Sequence, residues 1–263
     1  MTTQTADGLV QTVREGRVLA IELARPAARN AISAAMLQVL LEAVDEAAAE
    51  GVAVVTLTGA GPAFCAGADI RSYRDADADP AALREFTAAA GRLCDALEQL
   101  DAVVVAGVHG ACLGGGFELA LSADLVIAAD DARFGLPEVR LGLIPGWGGT
   151  QRLTRAVGPN LARSMILRAH QIDAETAHRV GLVSQVVPAA ALRSTMTELA
   201  HELASGPTRA LVAATRAIRA AAAVSASGMQ LEREELLALF GTRDGMEGVA
   251  AFTERRPPRF VGA

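Results

Sequence analysis

The chain has 263 residues, of which 51% are hydrophobic and 21% charged, a balance that suits one large folded domain or one domain with an appendage. Its net charge of −6, with arginine as the only strongly basic residue type, argues against nucleic-acid binding, which favours clustered basic residues. No apolar run reaches the roughly 20 residues needed to span a bilayer, and the N-terminus lacks a signal-peptide pattern, so we expect a cytoplasmic protein without membrane association.

The N-terminal part predicts a β-hairpin followed by a helix. Two strand-like segments, residues 9–13 and 17–23, flank a tight turn. Ser33 is a suitable N-cap, apolar residues follow it at helical spacing, and Gly51 is a stop signal. We therefore expect a helix between Ser33 and Gly51.

Two buried strands, at residues 52–58 and 102–107, each run into a glycine-rich connection, at residues 59–70 and 107–116. A long Ala/Leu-rich helix over residues 81–100 separates them, which is typical of a right-handed βαβ unit with parallel strands. Ligands bind at the carboxyl ends of such strands. Each connection could therefore offer a backbone N–H to one shared oxygen.

Strands and helices alternate up to about residue 190, and helices alone are predicted after it. Strands are expected at 124–129 and 183–187, irregular structure at 132–138, and a further glycine-rich loop at 142–150. The remaining predicted helices lie at 151–157, about 160–168, from Asp173 onward, and at roughly 189–204, 207–222, 227–240 and 243–253. We expect an α/β core over 1–190 that carries the site, and a helical region over 191–263.

Three consecutive glycines, Gly114 to Gly116, lead from a strand into a helix near Phe117. Free N–H groups at a helix N-terminus favour a phosphate, a carboxylate or an oxyanion. The glycines could equally serve tight packing, with Glu118 on a solvated face. Together with residues 59–70, the glycines can supply two N–H donors of an oxyanion hole. Glu118 and Glu138 are then the candidate groups for proton transfer.

The cysteines, Cys65, Cys94 and Cys112, are odd in number and widely spaced, without a CxxC pattern. That spacing predicts reduced, buried thiols and neither a disulfide framework nor a zinc site.

Four segments together resemble the enoyl-CoA hydratase/isomerase, or crotonase, family: GAGPAFCAGADI, GACLGGGFELALSADLVIA, ARFGLPEVRLGLIPGWGGTQRLTRAVG and AFTERRPPRF. They occur in order, with compatible spacing, and the resemblance covers about residues 9–260. It implies an α/β fold of stacked ββα units with a helical C-terminal trimerisation region that also closes the active site. It also implies a homotrimer or a dimer of trimers, and a CoA thioester as substrate.

The resemblance implies roles for four residues. Family members hold the thioester oxygen with two backbone N–H groups, which correspond here to Ala68 and Gly115. Hydratases of the family carry two catalytic glutamates, and both positions, Glu118 and Glu138, are occupied in this chain. Isomerases typically keep only the second.

The resemblance also implies CoA and substrate contacts, although this chain lacks the lysines that many relatives use. The residues implied are Arg25, Ala66, Asp69, Ile70, Arg71, Gly146 and Trp147, with Arg29, Arg255 and Arg256 as further candidates for the phosphates. A solvated surface position is the alternative for each arginine, and a place in the core is the alternative for Trp147.

The resulting hypothesis is hydration of 2-trans-enoyl-CoA to 3-hydroxyacyl-CoA, without a metal or redox cofactor, since CoA is part of the substrate. One alternative is an isomerase or another acyl-CoA enzyme of the same family. Another is a non-catalytic acyl-CoA-binding protein. The presence of both Glu118 and Glu138 favours the hydratase.

Overall fold

The computed structural model describes residues 2–4, 8–70, 80–221 and 226–259. The strands are β1 (Thr2–Gln4), β2 (Val10–Glu15), β3 (Val18–Leu23), β4 (Val54–Gly59), β5 (Val103–Val108), β6 (Ala111–Leu113), β7 (Leu125–Ala129), β8 (Arg133–Gly135), β9 (Ile172–Asp173) and β10 (Gln185–Val187). The α-helices are α1 (Ala34–Glu50), α2 (Pro80–Gln99), α3 (Gly115–Ala120), α4 (Gly149–Leu167), α5 (Ala174–Arg179), α6 (Leu192–Ser205), α7 (Thr208–Ala221), α8 (Ala226–Phe240) and α9 (Arg243–Thr253). The predicted α/β class is confirmed.

Across the described residues, the larger sheet has seven strands in the order β1-β2-β3-β4-β5-β7-β10. The first three pair antiparallel, as the predicted hairpin requires, and the other neighbours pair parallel. In β4 and β5, Val54 lies opposite Val103, and nearly every residue is buried. Continuous apolar sequences of this kind are typical of strands covered on both faces. Because β4 and β5 run parallel, the connections that follow them emerge at the same edge.

Helix α1 begins and ends at the predicted signals. The Ser33 side chain accepts a hydrogen bond from the N–H of Met36, and Gly51 adopts the left-handed conformation at the C-cap. One face is buried in the main core through Met36, Leu37, Leu40, Ala43, Val44 and Ala47. Burial of each leucine-sized side chain stabilises the fold by about 1.5–3 kcal/mol.

A smaller sheet is built from β6, β8 and β9. Residues 132–138 were expected to be irregular, and that prediction is wrong for Arg133–Gly135, which form β8. These strands are two or three residues long, so they show no periodicity in sequence. The pairing partners that define them come from distant parts of the chain.

The C-terminal part is helical, as predicted, and its helices agree with the expected ranges to within a few residues. Helix α4 is interrupted at Gly158, which precedes Pro159, so the predicted break between two helices is also confirmed. Leu236 of α8 forms a buried cluster with Leu143 and Val249. Among the described residues, none of the helices combines the length and the hydropathy that a transmembrane span requires.

All three cysteines are buried, free thiols. The backbones of Cys65 and Cys112 pair in an isolated β-bridge between neighbouring segments, whereas Cys94 lies on α2. Burial raises the pKa of Cys65 and of Cys94 to about 12. The three residues therefore act as small apolar core residues, as their spacing predicted.

Candidate active site

The two glycine-rich connections that follow β4 and β5 are hydrogen-bonded along their length. The N–H of Phe64 donates to the carbonyl of His109 at 2.8 Å, and the N–H of Cys65 donates to Ala111 at 3.0 Å. In return, the N–H of Leu113 donates to the carbonyl of Cys65 at 3.0 Å. The predicted meeting of the two connections is therefore confirmed.

Asn30, a residue that the sequence analysis did not single out, holds the first connection in shape. Its fully buried side-chain amide donates to the carbonyls of Ala60, Ala63 and Phe64 at 2.9, 2.8 and 3.1 Å. Its Oδ1 accepts the N–H of Arg25 at 2.8 Å. The residue has a φ of +57°, which asparagine tolerates better than most residues. Asparagine is common in loops, so no sequence signal distinguished it.

The two predicted oxyanion donors lie on adjacent segments. Ile32 bonds to Gly67 and Asp69 on either side of Ala68, so the N–H of Ala68 faces away from Ile32. A Cβ atom placed on Gly67 would lie 3.6 Å from the nitrogen of Gly115, which begins α3. Within the described residues, neither the N–H of Ala68 nor that of Gly115 donates to a protein acceptor. Their predicted role as donors to a ligand oxygen stays a prediction.

Each glycine of the Gly114–Gly116 turn is required for a different reason. Gly114 has a φ of +53°, which disfavours a side chain. A Cβ atom on Gly115 would lie 2.3 Å from Cζ3 of Trp147, and one on Gly116 would lie 2.4 Å from the carbonyl oxygen of Cys65. The turn therefore serves tight packing, as one of the two alternatives required, and the binding of an anion by its N–H groups stays a prediction.

Glu118 lies in the first turn of α3 and is only 2% exposed, so the solvated-face alternative is excluded. Its Oε1 accepts hydrogen bonds from the N–H groups of Trp147 and Gly149, each at 2.7 Å. Two such bonds fix the orientation of the carboxylate.

Glu138 begins the 3-10 helix Glu138–Leu141, directly after Pro137. Its Oε2 atom is buried. A Cβ atom placed on Gly114 would lie 3.1 Å from its Oε1. The second candidate glutamate therefore borders the same glycine turn from which Glu118 extends.

Arg152 is a second residue that the sequence analysis missed, and its side chain is fully buried. Its guanidinium donates to the Trp147 carbonyl at 2.8 Å, to Asp95 at 2.8 Å and to Glu98 at 2.8 and 3.1 Å. Burial by itself would lower the pKa of Arg152, but nearby groups, Cys94 and Glu98 among them, raise it. A possible signal was the spacing of Asp95 and Glu98, which puts two carboxylates on one face of an apolar helix.

Gly146 and Trp147 are both buried, beneath different elements. A Cβ atom on Gly146 would lie 2.0 Å from Cδ2 of Leu236 on α8. The Trp147 ring covers Gly115 and makes an edge-to-face contact with Phe86 at 5.8 Å between centroids. Helices α2 and α8 therefore both close over the segment that holds Glu118.

The other predicted CoA contacts surround the first connection. Arg25 forms an ion pair with Asp69 at 3.0 Å, and the N–H of Ala66 donates to the carbonyl of Arg29 at 2.9 Å. Ile70 packs against the cluster that contains Leu236. Arg71 lies outside the described residues.

The C-terminal arginine candidates lie near acidic side chains. Arg256 forms ion pairs with Glu247 and Glu254, both at 2.6 Å. Arg255 has a φ of +56° in the turn that follows α9. Their predicted contact with CoA phosphates stays a prediction.

Comparison with known proteins shows that the chain is similar to enoyl-CoA hydratases. A family model for enoyl-CoA hydratase/isomerase matches residues 13–263. A 2,3-dehydroadipyl-CoA hydratase of Escherichia coli is 41% identical over 251 residues, covering 95% of this chain and 97% of that protein. A probable enoyl-CoA hydratase of Mycobacterium bovis is 40% identical over 253 residues, covering 94% and 96%.

A solved structure supports the same assignment. An enoyl-CoA hydratase from Mycobacterium avium subsp. paratuberculosis has a TM-score of 0.87 to this chain at 30% identity, with 96% of this chain and 98% of that chain covered. This match confirms the crotonase-like fold that the sequence motifs implied. Since both the family model and these relatives span nearly its whole length, the chain belongs to the enoyl-CoA hydratase/isomerase family.

Proposed function

We propose that this protein hydrates 2-trans-enoyl-CoA thioesters to 3-hydroxyacyl-CoA. The observation that carries the proposal is the convergence of two available N–H groups, on Ala68 and Gly115, with Glu118 and Glu138 around one glycine turn. The names of the relatives, a 2,3-dehydroadipyl-CoA hydratase and a probable enoyl-CoA hydratase, support the same reaction.

The N–H groups of Ala68 and Gly115 are proposed to hold the thioester oxygen. When water adds at C3, negative charge moves from the double bond onto that oxygen and produces an enolate. Two donors already oriented toward the oxygen stabilise this charge without reorganising, and loss of one such donor typically lowers kcat by about 10²–10³-fold.

The two glutamates are proposed to have different tasks, one in orienting the water and the other in transferring protons. Glu118, held through Oε1, presents its other oxygen to orient the attacking water. Glu138 accepts a proton from that water as the C3–O bond forms, and a proton returns from it to C2 as the enolate collapses. One water is thereby added across C2=C3, and Glu138 ends in its starting state. These steps consist of proton transfer and charge stabilisation. CoA takes part in them as the thioester portion of the substrate.

The CoA portion is proposed to lie along the first connection, against Ala66, Asp69, Ile70 and Arg71. Arg25 supports this surface through its ion pair with Asp69. Gly146 and Trp147 are proposed to border the acyl group, because the N–H of Trp147 binds Glu118 and Gly146 directly precedes Trp147.

The test is loss of the absorbance of the conjugated enoyl thioester, over a panel of 2-enoyl-CoA chain lengths. We expect turnover by the wild type and a loss of about 10²–10⁴-fold in kcat for Glu118→Gln and for Glu138→Gln. Conversion of 3-enoyl to 2-enoyl thioesters without hydration would instead identify an isomerase. Binding of acyl-CoA with no turnover would identify a binding protein. Full activity in both Gln variants would refute the assigned roles.

A homotrimer, or a dimer of trimers, is proposed for the assembly. The helical C-terminal part supports this, because Ile218 and Phe252 are 67% and 57% exposed in the single chain. Light scattering coupled to size-exclusion chromatography measures the molar mass directly. A monomer at micromolar concentration would contradict the proposal.

A further inference from the structure

The carbonyl of Trp147 accepts a hydrogen bond from Arg152, while the N–H of the same residue donates to Glu118. Arg152 follows Gly149 by one helical turn, and its own N–H bonds to the carbonyl of Gly148 at 2.8 Å. The guanidinium thus folds back onto the segment that carries both donors to Glu118. We expect a displacement of the Trp147 carbonyl to move the N–H groups of Trp147 and Gly149 and, with them, the carboxylate of Glu118.

The acidic partners hold Arg152 on the side away from Trp147. Asp95 and Glu98 both belong to α2, and each accepts from Nη2 at 2.8 Å. Asp95 also pairs with Arg233 of α8 at 3.1 Å. The ion pairs of Arg152 and Asp95 therefore link the helices α2, α4 and α8.

Arg155 provides an internal comparison on the same helix. It pairs with the same Glu98 at 2.9 Å, but its side chain is 29% exposed, whereas that of Arg152 is fully buried. Arg152 also donates to the Trp147 carbonyl, the contact that reaches toward Glu118. A comparison between them separates the ion pair with Glu98 from the contact with Trp147.

We infer that Arg152 is a positioning residue for Glu118, acting through the Trp147 carbonyl and the N–H groups of Trp147 and Gly149. The prediction about turnover rests on the proposed function. The contact between Arg152 and Trp147 can be tested without any turnover. Because the Arg152 side chain is fully buried, we expect it to make no direct contact with CoA. Its loss should therefore lower kcat and leave KM nearly unchanged.

The first experiment compares Arg152→Met and Arg152→Lys with Arg155→Met. We expect a decrease in kcat of about 10²-fold for Arg152→Met, because small misplacement of a catalytic group has an effect of this size. Lysine keeps the charge but lacks the planar fork, so Arg152→Lys should recover part of the loss. KM of the Arg152 variants should stay within about twofold of the wild-type value. Both kcat and KM of Arg155→Met should also stay within about twofold of wild type. An equal effect of Arg155→Met, or a loss confined to KM, would overturn the inference.

A double-mutant cycle tests whether Arg152 acts through Glu118. If it does, Arg152→Lys should lower kcat about tenfold in the wild type but no more than about twofold in the Glu118→Gln background, since coupled residues are not additive. Equal decreases in both backgrounds would contradict the inference. Should Arg152→Met fail to fold, Arg152→Lys decides the matter. Failure of both to fold would assign Arg152 a structural role and overturn the inference.

Fluorescence of Trp147 supplies a readout that needs no substrate, because it is the single tryptophan of the chain. We expect Arg152→Lys and Glu118→Gln to shift its emission or its acrylamide quenching, and Arg155→Met to leave both unchanged. An unshifted signal in folded Arg152→Lys would overturn the inference even if the wild type hydrates enoyl-CoA. If the variants shift the Trp147 signal but the wild type has no hydratase activity, the proposed reaction is refuted and the positioning contact stands.

Discussion

Glu118 and Glu138 border the same glycine turn but are held in different ways. Glu118 is 2% exposed on an α-helix and receives two backbone hydrogen bonds from residues 147 and 149. Glu138 is half-buried at the start of a 3-10 helix and approaches Gly114 through Oε1. The first carboxylate is built into the core, whereas the second is attached to its edge.

This difference indicates how one residue type can serve two roles in one site. A carboxylate with one oxygen fixed by N–H donors is suited to hold a water in place. A carboxylate that is half-buried at the start of a 3-10 helix is suited to exchange protons between two positions. Environment sets the task of each acid, a pattern known from other pairs of catalytic carboxylates.

The largest expected effect comes from removing each carboxylate in turn. Glu118→Ala and Glu138→Ala should both lower kcat by about 10²–10⁴-fold. They should differ in stability, because Glu118→Ala leaves two buried N–H donors without their acceptor, at a cost of about 3 kcal/mol in the free energy of unfolding. Glu138→Ala should cost about 1 kcal/mol or less. Urea unfolding measures both values, and equal losses would contradict the comparison.

Gly149→Ala should disturb Glu118 without removing it. The added Cβ would lie 2.8 Å from Oε1 and 3.0 Å from Cγ of Glu118, so the carboxylate has to move. We expect kcat to fall about 10²-fold, as for other small misplacements of catalytic groups. Gly241→Ala is the matched control, since the nearest atom to its Cβ would be 3.4 Å away. Unchanged kcat in Gly149→Ala would show that Glu118 tolerates displacement.

Glu98→Gln tests the support behind Glu118 through the pH dependence of stability. Burial alone would raise the pKa of Glu98, but the charge and hydrogen bonds of Arg152 and Arg155 lower it below its usual 4.5. A lowered pKa stabilises the fold at pH values above 4.5, and this contribution is lost as the pH falls through the folded-state value. Glu98→Gln should therefore cost about 2 kcal/mol at neutral pH, and the difference from wild type should vanish in acid. A difference that is independent of pH would contradict the ion pair.

The smallest effect is expected for chemical labelling of the three buried cysteine thiols. Because burial raises the pKa of Cys65 and Cys94 to about 12, little thiolate forms at pH 8. Iodoacetamide should label none of the three cysteines in the native protein and all three after unfolding, as counted by mass spectrometry. Native labelling of Cys65 would indicate that the glycine turn opens readily.

The local part of the site was predictable because it depends on short sequence patterns. Gly114 to Gly116, the strands before the two connections, and both glutamates belong to contiguous motifs. The break at Gly158 and the caps of α1 followed from residue chemistry in the same way. The strands β8 and β9 could not be predicted, because strands of two or three residues are defined only by the strands with which they pair.

The sequence by itself determined the α/β class, the family and the two candidate carboxylates, since each depends on residue type and spacing along the chain. The tertiary structure alone decided that Asn30 ties the first connection and that Arg152 is buried against the Trp147 carbonyl. Asp95, Trp147 and Arg152 come from segments up to 57 residues apart, and periodicity carries no information about contacts at that separation. A buried arginine and a surface arginine look the same in sequence, and the surrounding acceptors distinguish them.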